Sequence, residues 1–187
     1  PDGSYNPPPN NNAKLTLTSG AYKYETPDKV ALNFNTDGTI HDWTSPAGPV
    51  VTFAYAGTPA KLQTIANNMG RTLTLGYNGD LISSVSDGNG RSVSYAYDTN
   101  SSPSQLNNLL SYTDTLGLTL GYATTMEYSG QGQLFKMFYP EKPTVPFVTN
   151  YYDTLGRVKE QRDPNNKLTQ YFFAGSRSEL INPLGQS

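Results

Sequence analysis

Apolar positions in this chain fall at fixed distances from a recurring glycine. Val51, Phe53 and Tyr55 follow Gly48 at +3, +5 and +7; Leu73, Leu75 and Tyr77 follow Gly70, and Val93, Tyr95 and Tyr97 follow Gly90. Leu120 and Tyr122 follow Gly117 before the pattern breaks at Thr124. Mostly Thr, Ser, Ala and Gly lie between them. Alternation of this kind predicts a strand with one covered face. Before the glycines, at −8 and −5, stand Ile40 and Trp43, Leu62 and Ile65, Ile82 and Val85, and Leu109 and Tyr112. Ser45, Asn67, Asp87 and Asp114 stand at −3. A short polar side chain there can bond its own backbone two residues on and start a turn. The glycine then supplies the positive φ that closes it.

The register continues further along the chain. Asn166, which tolerates a left-handed conformation, has Asp163 at −3, Val158 at −8, and Tyr171 and Phe173 at +5 and +7. Gly185 has Asn182 at −3 and Leu180 at −5. A degenerate copy centres near Lys142, preceded by Leu134, Met137 and Tyr139. The turn anchors are thus Gly48, Gly70, Gly90, Gly117, Asn166 and Gly185, in about six or seven copies of a unit of roughly 20 residues. Each unit reads as strand, turn, strand, and a second turn such as Asn78-Gly79-Asp80. One hairpin cannot bury its apolar face alone, whereas stacked copies can. The predicted fold is all-β, with tandem β-hairpin repeats forming a long, twisted antiparallel sheet. A propeller, with about four strands per blade, is the competing architecture.

Residues 1–12 (PDGSYNPPPNNN) read as a Pro/Asn-rich linker. Residues 13–36 read as a capping hairpin, from the alternations Leu15, Leu17, Tyr22, Tyr24 and Val30, Leu32, Phe34. Residues 37–187 form the array, with degenerate insertions near 99–108 and 123–150. The Ser101–Leu110 stretch contains Pro103 and is read as part of the first insertion, not as a helix.

Several motifs in this register resemble the YD/RHS repeat family. They are Tyr152-Asp153-Thr154-Leu155-Gly156-Arg157-Val158 with Asp163-Pro164, then Tyr95-Ala96-Tyr97-Asp98, Gly70-Arg71 through Tyr77, and Asp87-Gly88-Asn89-Gly90-Arg91. The resemblance spans about 34–187. It implies strands wound into a spiral sheet that in complete proteins closes into a hollow shell, here a partial one. In bacterial toxins such shells enclose a C-terminal toxic domain, and related repeats occur in wall-associated and adhesion proteins. The chain is too short to close a shell and reads as a fragment or as one piece of a larger assembly. The family's self-cleaving aspartyl site carries paired Asp-Pro-x-Gly motifs. Asp163-Pro164-Asn165-Asn166 and Asn182-Pro183-Leu184-Gly185 resemble that pair, but Asn182 cannot supply the second carboxylate that such chemistry needs.

Composition narrows the function classes. With 13 basic and 15 acidic residues, the net charge of −2 gives no field that favours nucleic acid. The absence of cysteine excludes disulfides, thiolate metal sites and thiol nucleophiles. No apolar run reaches the roughly 20 residues of a membrane helix. His41 is the only histidine and is expected to be an exposed strand residue. No nucleophile elbow, Walker loop or dinucleotide fingerprint is present, and Gly130-Gln131-Gly132 reads as a turn. Asp87–Gly90 and Asp153–Gly156 offer oxygen donors of the kind calcium takes, although turn formation alone accounts for them. Tyr128, Tyr151 and Tyr152 are candidate glycan or partner contacts, against the simpler reading of tyrosines as a packing layer. Adjacent Tyr151 and Tyr152 must face opposite ways.

The sequence therefore predicts a non-catalytic structural repeat segment, without cofactor or metal; the resemblance implies that it belongs to an exported bacterial protein, secreted or at the cell surface, and that it scaffolds or encapsulates an associated toxin domain. Its partners are expected to be further repeats or another chain, joined through open β-edges. A carbohydrate-binding or adhesion module is the alternative.

Overall fold

The computed structural model describes residues 4–5, 8, 10–98 and 107–186. The chain divides into two compact units: 1–77 with 85–91, and 78–84 with 92–187. Both are all-β and built of antiparallel hairpins, the fold class the alternation predicts.

Unit one opens with β1 (Ser4–Tyr5), β2 (Lys14–Thr18) and β3 (Ala21–Glu25). It continues with β4 (Ala31–Phe34), β5 (Ile40–Thr44), β6 (Val50–Ala56), β7 (Lys61–Asn67) and β8 (Thr72–Asn78). Each strand pairs antiparallel with the next one in the chain. β9 (Leu81–Ser86) is divided between the two units.

Two boundaries differ from expectation. Within the presumed linker, Ser4–Tyr5 pairs with Thr16 and Leu15, and the Tyr5 ring lies 6.0 Å from that of Tyr22. The presumed capping hairpin is a three-stranded meander, because Ser19 and Gly20 both take positive φ and fold β2 back onto β3. Residues 1–3, 6–7 and 9 of the linker, and residues 99–106 of the first insertion, lie outside the described residues.

Unit two contains β10 (Ser92–Tyr97), β11 (Leu109–Thr113), the short helix α1 (Thr115–Leu120) and β12 (Thr124–Tyr128). β13 (Leu134–Phe138), β14 (Val148–Tyr152), β15 (Val158–Arg162), β16 (Leu168–Ala174) and β17 (Arg177–Ile181) come after it in the chain. Again each strand pairs with its neighbour in sequence. The predicted insertion at 123–150 contains regular sheet: β12, β13 and the start of β14 lie within it.

Burial is shallow. Among the described residues the buried apolar side chains are Ala13, Ala31, Leu75, Met126 and Phe138, and no large side chain is fully buried. Cross-strand pairs, each worth about 0.2–1 kcal/mol, therefore carry much of the stabilisation.

Candidate functional site: an apolar face, repeated bulges and turn rows

The strand register sorts side chains onto two faces. In unit one a row runs Leu15, Tyr24, Leu32, Trp43, Val51 from strand to strand, and a second runs Phe53, Ile65, Leu73. These side chains are half-buried, apart from Leu73, which is exposed. The opposite face carries Lys23, Asn33, Asp42, Thr52, Ala66 and Thr72 in register. Asn33 there donates to Asp42 Oδ1 at 2.7 Å. One side of the unit is therefore an apolar sheet surface one side chain deep, and the other is polar.

The −8/−5 spacing depends on a bulge. Side chains three apart in a regular strand point to opposite faces. Yet Ile40 and Trp43 oppose Phe34 and Leu32, which share a face, and Leu62 and Ile65 oppose Tyr55 and Phe53. One extra residue, His41 or Gln63, makes this possible. In unit two Leu110, Phe135 and Lys159 are skipped in the same way, opposite Tyr97, Tyr128 and Tyr152. The bulge recurs opposite an aromatic residue that is the last of the preceding strand, or in β6 the last but one. Such bulges increase local twist and bend the strand. His41 is thus a bulge residue, exposed, with Nδ1 2.7 Å from Asp42 Oδ2. Asp42 is partly desolvated, but bonds from Asn33, His41 and Thr44 hold its carboxyl below the ordinary value.

Nine of the turns share one design. Thr26, Asn35, Ser45, Asn67 and Asp87 in unit one, and Ser129, Asp153, Asp163 and Asn182 in unit two, each donate a backbone N–H to the carbonyl four residues on, at 2.8–3.1 Å. The fourth residue takes positive φ: Gly48, Gly70, Gly90 and Gly185 do so, as do Asn166 at 60° and Lys29 at 68°. This is a type I turn closed by a left-handed residue. The Asp and Asn side chains complete it. Asp153 Oδ1 accepts from Leu155 N at 2.9 Å and Arg157 N at 3.0 Å; Asp163 Oδ1 accepts from Asn165 N and Lys167 N; Asn182 Oδ1 accepts from Leu184 N and Gln186 N. The two motifs that resemble a cleavage pair are thus two such turns.

Gly117 is the exception among the anchors and corrects the prediction. It lies inside α1 without positive φ. Asp114, at −3, accepts from Gly117 N at 2.7 Å as a helix N-cap rather than a turn starter. The left-handed residue is Gly121, at φ 76°, which ends the helix. Leu120 and Tyr122 consequently lie outside strands. Gly117 is needed for closeness: a Cβ there would stand 2.4 Å from the Tyr122 carbonyl oxygen. Thr115 fixes α1 through its hydroxyl, which accepts from Ser92 N at 2.6 Å and donates to Ser92 O at 2.9 Å.

The presumed calcium donors have cationic partners of their own. Asp87 Oδ2 meets Arg91 Nε and a terminal guanidinium nitrogen, each at 2.7 Å, and Asp153 Oδ2 meets Arg157 at 2.8 and 2.7 Å. Backbone N–H groups and then the arginine hold the Asp87 carboxyl below its ordinary value; at Asp153 the Arg157 N–H leads, assisted by the guanidinium against partial desolvation. The turn glycine is followed by arginine, a partner that the sequence reading of these loops overlooked. Arg71 has no such carboxylate, since Asn67 starts its turn. It borders a concavity of about 480 Å³ in unit one, floored by Val51, Ile65 and Leu73 and bordered also by Asp87 and Arg91.

The three tyrosines singled out as glycan contacts separate. Tyr128 donates its hydroxyl to Leu109 O at 2.9 Å, and Tyr152 donates to Leu134 O at 2.7 Å. Tyr77 makes the same bond to Leu62 O at 2.7 Å. These tyrosines tie the end of one strand to the start of the strand before it. Tyr151 faces the other way, 38% exposed, edge-on to Phe135 with centroids 5.9 Å apart.

No protein-family model matches the chain, and no curated protein matches it in sequence. Solved structures do match. A chain of the Photorhabdus luminescens Tc holotoxin pore is similar over 94% of this chain, at a TM-score of 0.58 and 12% identity. A chain in the crystal structure of TcdB2-TccC3-Cdc42 is similar over 91%, at a TM-score of 0.43 and 15% identity. This chain spans 11% of the length of each. The fold is therefore shared with a segment of a Tc toxin chain, in agreement with the YD/RHS-type repeat read from the sequence.

Proposed function

We propose that this chain is a non-catalytic repeat segment of an exported bacterial protein, whose bent sheet forms part of a wall around an associated polypeptide. The observation that carries the reading is the half-covered apolar face backed by a polar face. Such a face requires a partner, since apolar area left in water forfeits about 25 cal/mol per Å². The recurring bulges bend the strands, as a curved wall needs. The fold likeness to a Tc holotoxin pore chain supports the same role. Further repeats joined along open strand edges would extend the wall.

Protease protection tests this in the protein that carries the array. The associated polypeptide should survive protease doses that digest it when it is expressed alone. Protection should fall when Ile65→Lys or Phe53→Lys places charge on the apolar face. Equal digestion with and without the array would overturn the reading.

A further inference from the structure

We propose that unit two carries a site for a small organic cation of the alkylammonium class, set between α1 and the Tyr139–Phe147 loop. The site lies where the repeat is interrupted twice. At the Gly117 position a helix replaces the five-residue turn, and near Lys142 a longer loop replaces the next turn of the same register. On this end of the sheet in unit two the other turns, at Asp163 and Asn182, keep the five-residue design, and departures from a local rule are where function concentrates. Between the two interruptions is a cavity of about 190 Å³, walled by Tyr112, Tyr122 and Tyr139 with Asp114 and Glu141.

The chemistry of the wall selects the ligand. Three tyrosines and two carboxylates line the cavity, electron-rich phenol rings and negative charge both attract a cation, and the lining holds no Lys, Arg or His. Desolvation raises the Tyr122 phenol pKa, and the charges of Asp114 and Glu141 raise it further, so both carboxylates act on the same ring. The walls are held in place. Tyr139 stacks on Phe147 with centroids 3.8 Å apart and planes within 7°, and Asp114 is fixed by its cap bond to Gly117 N. Tyr112 and Tyr139 remain 37% and 49% exposed, so the cavity opens to solvent. Among the described residues no group of three or more His, Asp or Glu could hold a metal ion. An aromatic wall with two carboxylates suits a diffuse, weakly hydrated cation better than a hard one.

The site is independent of the wall function proposed above, and calorimetric titration of the full chain tests it. Choline chloride should bind saturably. Its neutral isostere 3,3-dimethylbutan-1-ol should bind at least about tenfold more weakly, the scale of a partly desolvated cation–π contact. Glu141→Gln alters an exposed loop side chain, and Tyr112→Leu removes one wall. Each should weaken choline about tenfold while leaving the amide spectrum of residues outside the site unchanged. The proposal is overturned by any one of four results: no saturable binding up to about 10 mM choline, equal binding of the isostere, unchanged affinity in both variants, or saturable binding of glucose in place of choline.

Discussion

The two units apply the same hairpin rules to different ends. Among the described residues unit one exposes three large apolar side chains, Tyr5, Met69 and Leu73. Unit two exposes thirteen, including all three α1 leucines and Phe172, Phe173 and Leu180 of its last hairpin. Unit one keeps its apolar side chains on one face and closes its turns with glycine or lysine. Unit two replaces two turns with a helix and a loop, and sets Asn150 into its apolar face, 7% exposed and bonded to Leu134 O and Gln161 Nε2. The turn designs differ between the units, but the skipped residue does not.

Four experiments probe this contrast. The largest effect is expected from deleting Gln63. Removing the bulge puts Leu62 out of register with Tyr55, and the loss of two half-buried apolar contacts should cost about 3 kcal/mol in chemical denaturation. Deleting Lys159 should act likewise in unit two, and a neutral result in either would show that the bulge is incidental. Next is Gly117→Ala, where the added Cβ meets backbone. We expect about 2 kcal/mol or more, through strain or a displaced α1. Gly48→Ala, with open space around its Cβ, should cost only about 1–2 kcal/mol for the left-handed backbone. Equal effects of the two substitutions would contradict the distinction drawn between these glycines.

The smallest effect is expected from pH. The folded-state carboxyls of Asp87 and Asp153 lie below their ordinary values. The stability they contribute is therefore present above the unfolded Asp value of about 3.9 and is lost as pH falls through the lower folded values. Thermal unfolding should be insensitive to these groups between pH 7 and about pH 5, and should fall below pH 4. Asp87→Asn and Asp153→Asn should each flatten that acid limb; an unchanged limb in the double variant would remove these carboxylates from the account.

Much of the fold was legible in the sequence, since both links between strand and turn are local. The residue at −3 and the left-handed residue three further on lie within one five-residue turn, so Ser45 with Gly48, or Asp163 with Asn166, could be read without knowledge of the tertiary structure. The −8/−5 pairs were legible as a pattern but not as geometry. A spacing of three violates strand alternation, and only the cross-strand partners show that an inserted residue restores the face. Gly117 was read as a turn anchor and is a helix residue instead: Asp114 serves a turn and a helix cap equally well, and the residues after it decide between them. The pairing of Arg91 and Arg157 with their turn aspartates needed side-chain reach across the turn, which periodicity does not encode. The cavity between α1 and the 139–147 loop was not legible, because Tyr112, Asp114 and Tyr122 fit the repeat as strand and turn positions and nothing in that register places them beside Tyr139 and Glu141.

Among the described residues every strand pair within either unit joins neighbours in the chain, and nine of the turns close on atoms within five residues. A growing polypeptide can therefore complete each hairpin soon after its second strand leaves the ribosome, without waiting for distant sequence. Each finished hairpin then offers an edge on which the next strand can align. Because each hairpin contacts mainly its neighbours, shortening the array by whole hairpins should leave an ordered, shorter sheet in place of a collapsed chain.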